Sequence, residues 1–207
     1  MIQNLLPNWK RRLSSSQCLH AAPNEREKNL PVMVFIHGGG FMAGGADFYP
    51  PYALMNRDIV LVTIQYRLGI FGFLSTEDSE MPGNMGLKDQ QLALKWIKEN
   101  IESFGGDSNR ITIFGESAGG ASVHYHILSP GSKGLFNRAI LQSGTAFCPW
   151  ASNNNHRKFA IEAGREFGCF IDNGTEKYLE CMQNVNPRYL ILAAVKTNVY
   201  SAIPTKL

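Results

Sequence analysis

Residues 111–127, ITIFGESAGGASVHYHI, pass from an apolar run into a helix-like segment with only Gly115, Glu116 and Ser117 between them. Residues 111–114 read as a short strand and residues 118–128 as a helix whose first turns are built from small side chains. So abrupt a turn needs glycines, because neighbouring backbone must approach with no Cβ in the way. Gly115-Glu116-Ser117-Ala118-Gly119 fits G-x-S-x-G, a pattern with chemical meaning only between a strand and a helix, where it holds a hydroxyl in the open. Ser117 is therefore a candidate nucleophile. The helix it opens offers unpaired N–H groups and a positive dipole end beside that hydroxyl.

The same alternation extends on both sides. Residues 32–36 (VMVFI) and 59–64 (IVLVTI) are continuous apolar runs, as expected for strands buried on two faces. Over residues 86–101 the period lengthens: Leu87, Leu94, Ile97 and Ile101 share one helical face, Lys88, Lys95 and Lys98 another, and Gly105-Gly106 ends the helix. Residues 138–142 (RAILQ) form a further strand, and 157–167 and 176–185 are helix-like around a loop at 168–174. Strand and helix alternating at this spacing imply an α/β fold, a central, mainly parallel sheet with flanking helices. Residues 1–30, polar and proline-broken, are expected to pack poorly. Residues 31–150 form the core with the serine turn, and residues 151–207 a helical segment.

Bulk composition excludes several classes. With 44% hydrophobic residues in 207, the chain can bury a core. A net charge of +3, with basic residues scattered except at Lys10-Arg11-Arg12, gives no nucleic-acid footprint. No apolar run approaches the roughly 20 residues of a membrane span. The opening residues also lack the apolar stretch of a secretory signal, which read literally places the chain in the cytosol. Cys18, Cys148, Cys169 and Cys181 form no C-x-x-C pair and have no histidine at ligand spacing, which argues against zinc or another metal. Cys169 and Cys181 bracket the sequon Asn173-Gly174-Thr175. Either these are two ordinary thiols and a chance sequon, or they close a glycosylated surface loop suited to an extracellular protein.

A second motif, His37-Gly38-Gly39-Gly40-Phe41, follows the strand at 32–36. Acyl transfer places negative charge on the former carbonyl oxygen, and one fixed N–H donor aimed there contributes about 3 kcal/mol. Gly39 and Gly40 can bring such donors close, joined by the N–H of Ala118. The run Gly38 to Ala43 also fits the dinucleotide pattern G-x-G-x-x-A. That reading fails: Pro50 and Pro51 interrupt any following helix, and the next strand ends in Gln65-Tyr66 with no acid.

Taken with "NMGLKDQQLALKWIKENIESFGGDSNRITIFGESAGG", "LFNRAILQSG" and "CPWA", these stretches resemble the type-B carboxylesterases and cholinesterases of the α/β-hydrolase fold over residues 31–185. The resemblance implies Ser117 as the acylated nucleophile and Gly39, Gly40 and Ala118 as the oxyanion hole. It places Glu116 and Ser143 in a buried polar network behind a catalytic histidine, and Trp150 and Phe41 at the substrate. It also implies a Cys169–Cys181 disulfide, glycosylation at Asn173, no cofactor, a small carboxylic ester as substrate and a place in the secretory pathway. Nothing in the pattern speaks to oligomeric state.

The chain departs from the family in two places. The triad order in this fold is serine, acid, histidine, and the family's acid and histidine positions lie beyond the last residue here. His124 and His126 sit too far along their helix to replace the base, at about 1.5 Å of rise per residue. His156 has no motif around it, and His20 and His37 precede the serine. At the front, Cys18-Leu19 is followed by loss of the family's strand, so the leading strands are expected to be missing and Cys18 to be unpaired. The chain therefore reads as the central piece of a longer esterase, its fold incomplete, prone to aggregate and inactive alone. The competing readings are a non-catalytic binding module of the same fold and an inert fragment.

Overall fold

Uninterrupted β-branched and aromatic runs become the inner strands of one sheet, because only burial on both faces tolerates them. The computed structural model describes residues 17–20, 29–196 and 204. Its strands are β1 (Gln17–His20), β2 (Leu30–Ile36), β3 (Val60–Ile64), β4 (Gly106–Glu116) and β5 (Arg138–Gln142). They lie in the order β1-β3-β2-β4-β5, with β1 antiparallel and the other four parallel. The helices are α1 (Gly69–Phe73), α2 (Met85–Asn100), α3 (Ala118–Leu128), α4 (His156–Arg165), α5 (Thr175–Gln183) and α6 (Pro187–Lys196). The α/β class, with its mainly parallel sheet, is as the sequence implies.

Pleating sorts the strand residues onto two faces. Val32, Val34 and Ile36 of β2, Val62 and Ile64 of β3, and Ile111 and Ile113 of β4 join one core with Leu87, Leu94 and Ile97 of α2 and Tyr178 and Met182 of α5. The opposite face carries Phe35, Leu61 and Phe114, covered by Tyr49, Leu54 and Met55. Phe35 meets Tyr49 at 4.6 Å and Phe114 at 5.0 Å between ring centroids.

The front of the chain differs from expectation. The strand thought lost after Cys18-Leu19 is present as β1, pairing Cys18 with Val62 and Leu19 with Leu61. Backbone pairing to β3 fixes these four residues where their own pattern, QCLH, has no period. The expected poor packing of residues 1–16 and 21–28, and the state of the Cys18 thiol, lie outside the described residues. β4 also starts earlier than its apolar run, because Leu30 pairs with Gly106 ahead of an irregularity in the β2–β4 register.

A buried polar chain locks α2 to α3. Gln91 Nε2 donates to Ser132 Oγ at 3.2 Å, and that hydroxyl lies 2.9 Å from His126 Nδ1. His126 Nε2 lies 3.0 Å from Gln90 Oε1, while Gln90 Nε2 donates to Ser122 Oγ at 3.2 Å. Because the Gln90 amide gives its N–H to Ser122, its oxygen accepts from Nε2. Nδ1 is then the acceptor for Ser132. Burial pushes the His126 pKa down to about 4, so the ring is neutral at pH 7.

Candidate active site

Connections in the sheet reverse direction between β2 and β4. From β2 the chain moves to β3 on one side, and from β4 to β5 on the other. Loops leaving the carboxyl ends of two such strands diverge and leave a crevice, the usual ligand site of open α/β sheets. Here those loops are His37-Gly38-Gly39-Gly40 and Glu116-Ser117.

Ser117 has φ 55° and ψ −117°, a conformation that L-residues rarely adopt. Strain of this kind costs about 1–3 kcal/mol and persists only where the surroundings impose it. The restraints are visible. The Ser117 N–H donates to Gln142 O at 2.8 Å, and Ser117 O accepts from the Ala121 N–H at 3.0 Å in the first turn of α3. Gly119 lies so close to Ile36 that a Cβ there would overlap the Ile36 carbonyl. The turn is thus wedged between β2 and β5.

Gly38 brings the two loops together. A Cβ on it would stand 2.6 Å from Glu116 O, 2.9 Å from Glu116 Oε2 and 3.3 Å from Ser117 Cβ. Beyond it the chain bends back, with the N–H groups of Met42 and Ala43 both donating to Gly39 O at 3.0 Å. The N–H groups of Gly39, Gly40 and Ala118 have no acceptor among the described residues. Ala118 opens α3, so its amide is one of the orphan donors at a helix start. Amides without a described acceptor thus lie in the two loops that leave the ends of β2 and β4, and Ser117 sits half-buried on a forced turn in the second. The arrangement can receive a hydroxyl-bound group and hold negative charge on it.

The remaining candidates fall in different places. Glu116 is half-buried, its carboxylate against Gly38. Ser143, with φ 54°, is exposed rather than buried. It follows Gln142 at the open end of β5, where no described element covers it. Trp150 is 40% exposed. Phe41, expected at the substrate, has no accessible surface: its ring packs edge-on to Phe73 at 5.1 Å and anchors the glycine loop in the core. Cys169 and Cys181 are joined as a disulfide, and Asn173 between them is exposed. The Thr175 hydroxyl of the same sequon donates to Asp78 Oδ2 at 2.7 Å.

The described histidine side chains are engaged elsewhere. His37 Nδ1 lies 2.8 Å from Gly38 O, and His124 Nδ1 accepts from the Ala146 N–H at 3.2 Å. His126 belongs to the chain between α2 and α3, and His156 Nε2 lies 3.0 Å from Asn153 O. Sequence reasoning gave His37 no part and overlooked Tyr66, whose hydroxyl donates to His37 O at 2.7 Å. The available signal was their placement at the carboxyl ends of adjacent strands.

A family model described as the carboxylesterase family matches residues 7–205. The chain is 54% identical over 172 residues to venom carboxylesterase-6 of Apis mellifera, covering 83% of this chain and 30% of that protein. It is 46% identical over 199 residues to juvenile hormone esterase of Tribolium castaneum, covering 92% and 34%. Against acetylcholinesterase of Danio rerio the identity is 46% over 190 residues, covering 87% and 30%. The chain spans about a third of the length of these relatives.

Proposed function

The chain belongs to the carboxylesterase family, and from that premise we propose that Ser117 takes up the acyl group of a small carboxylic ester. Ser117 Oγ attacks the carbonyl carbon and gives its proton to a base. The carbonyl oxygen becomes an oxyanion held by the N–H groups of Gly39, Gly40 and Ala118. The bond to the alcohol then breaks, the alcohol leaves with the proton, and water releases the acid from the acyl-enzyme. The observation that carries this reading is a serine forced to positive φ between a strand and a helix, with the glycine loop of β2 packed against it at Gly38.

The proposal extends to the base. Each described histidine side chain has another partner, so the proton acceptor is assigned to a histidine outside residues 1–207, and these residues alone are expected to turn over poorly. Loss of the base alone costs about 10⁶ in kcat in a comparable hydrolase. Trp150 is proposed as a wall of the acyl pocket, and Glu116 and Ser143 as polar support for that histidine. The Cys169–Cys181 disulfide, the exposed Asn173 and a relative named for venom support a glycosylated protein of the secretory pathway. Among the described residues no helix is long and apolar enough to cross a membrane.

The test is a fluorophosphonate probe on the chain and on Ser117→Ala, read by peptide mass. The same probe is applied to a longer protein that carries the histidine; a phosphonyl adduct on its Ser117, absent from the variant, is expected, with slow or no labelling of residues 1–207 alone. Labelling of the longer protein only would support a base outside residues 1–207, and no labelling of either folded form would support the non-catalytic binding module instead.

A further inference from the structure

Backbone N–H groups can be aimed at a ligand only if the intervening peptide planes are held, and a peptide plane is held most directly through its carbonyl. The glycine loop has this property at each turn but one. Gly39 O accepts from Met42 and Ala43, and Phe41 O accepts from the Gly69 N–H at 2.7 Å. The first two carbonyls, which set the direction of the loop as it leaves β2, are tied by side chains. His37 O accepts the Tyr66 hydroxyl at 2.7 Å, and Gly38 O lies 2.8 Å from His37 Nδ1. A carbonyl can only accept, so Nδ1 carries the hydrogen and Nε2 is a lone pair. The imidazole stacks on the Tyr66 ring at 4.4 Å with 19° between planes, and both side chains are buried.

This pair is costly as pure packing. His37 Nε2 is buried with no hydrogen bond of regular geometry among the described residues, although the Gln65 side chain lies near enough to the ring to favour its protonated form; an acceptor left unmatched costs about 1–3 kcal/mol. An apolar ring would fill the same space without that loss but would leave Gly38 O free to turn. The peptide that this carbonyl anchors ends in the Gly39 N–H.

We infer that His37 and Tyr66 are positioning residues, a stacked pair that ties the His37 and Gly38 carbonyls so that the Gly39 and Gly40 amides stay turned toward Ser117. The inference deepens the acyl-transfer reading and rests on it for its consequence, though not for its geometry. Neither side chain touches substrate. They act on where the oxyanion donors stand.

The experiment uses the whole chain with Tyr66→Phe, His37→Leu and His37→Asn. Tyr66→Phe keeps the stacked ring and removes only the hydroxyl. His37→Asn retains a side-chain N–H near the place of Nδ1, and His37→Leu has none. Two quantities are measured: hydrogen exchange of the Met42, Ala43 and Gly69 amides by NMR, and phosphonylation of Ser117 by a fluorophosphonate, separated into reversible affinity and covalent rate. Exchange at those amides is expected to rise at least about tenfold in Tyr66→Phe and His37→Leu, with the amides of β4 and α2 unchanged. The covalent rate is expected to fall roughly 10- to 100-fold, since displacement by about 1 Å is worth that much, while reversible affinity holds. His37→Asn recovers both. Unchanged loop exchange in Tyr66→Phe overturns the inference, whether or not Ser117 reacts. Equal losses in His37→Asn and His37→Leu overturn the role of the imidazole N–H. A wild-type Ser117 that never reacts follows from the missing base, and loop exchange then decides the positioning alone. Should His37→Leu fail to fold, Tyr66→Phe, which removes one oxygen, decides alone.

Discussion

Acidification is expected to loosen the joint between α2 and α3 by way of His126. In the unfolded chain an imidazole takes a proton near pH 6.5. In the folded chain burial holds that pKa down to about 4. Between these values the unfolded state binds a proton that the folded state refuses, so stability falls as pH drops through the window and levels off below it. One proton changes stability by about 1.4 kcal/mol per pH unit, which gives roughly 3 kcal/mol across the window. The structure supplies the reason. Protonation at Nδ1 would turn an acceptor into a donor facing the Ser132 hydroxyl, which already accepts from Gln91. His37 and His156 are also held below the usual imidazole range by burial and act in the same direction. The His126 contribution is therefore isolated by difference. Urea unfolding of the chain and of His126→Gln, at steps between about pH 7 and pH 4, should show the wild type losing about 3 kcal/mol more than the variant. Curves that stay parallel within about 0.5 kcal/mol would refute the argument, because that spread is the ordinary effect of a neutral substitution.

Three further outcomes follow from the geometry. Gly38→Ala forces a Cβ to within 2.6 Å of Glu116 O; parting the two loops should cost about 1–3 kcal/mol and slow Ser117 phosphonylation about 100-fold, read by thermal melting and probe kinetics. Ser117→Gly relieves the φ of 55° and should stabilise the fold by about 1 kcal/mol in urea unfolding while abolishing the adduct. Reducing the Cys169–Cys181 bridge, which spans 12 residues of sequence, should cost about 3 kcal/mol, seen as a lower Tm in dithiothreitol and absent in a Cys169→Ala/Cys181→Ala double variant.

What the sequence revealed depended on how local the cause was. The helix at 118–128 and the strand at 138–142 have the bounds read from the pattern, because a glycine turn and a short apolar run mark their ends. The disulfide pairing, implied by family resemblance, is also present. β1 was missed because four residues without a period become a strand only through backbone bonds to β3. The early start of β4 was missed for the same reason, since GDSNR has no apolar alternation and is extended only by its partner. Phe41 was placed at the substrate by family resemblance. Its φ of 61° instead turns the ring inward, and sequence gives no hint of a left-handed phenylalanine. Tyr66 escaped notice because its contribution is one hydroxyl reaching back 29 residues.

The two loops that flank Ser117 hang from adjacent strands, with Val34 opposite Ile113 and Ile36 opposite Gly115. Their spacing is therefore a property of alignment along the ladder. Sliding β2 by a single residue would shift its glycines by about 3.3 Å and turn its inward side chains outward. A chain that collapses with this misalignment could own the right helices and a dense interior yet have nothing that reacts. Gain of reactivity during refolding would then act as a clock for correct strand pairing, running later than any optical signal of compaction.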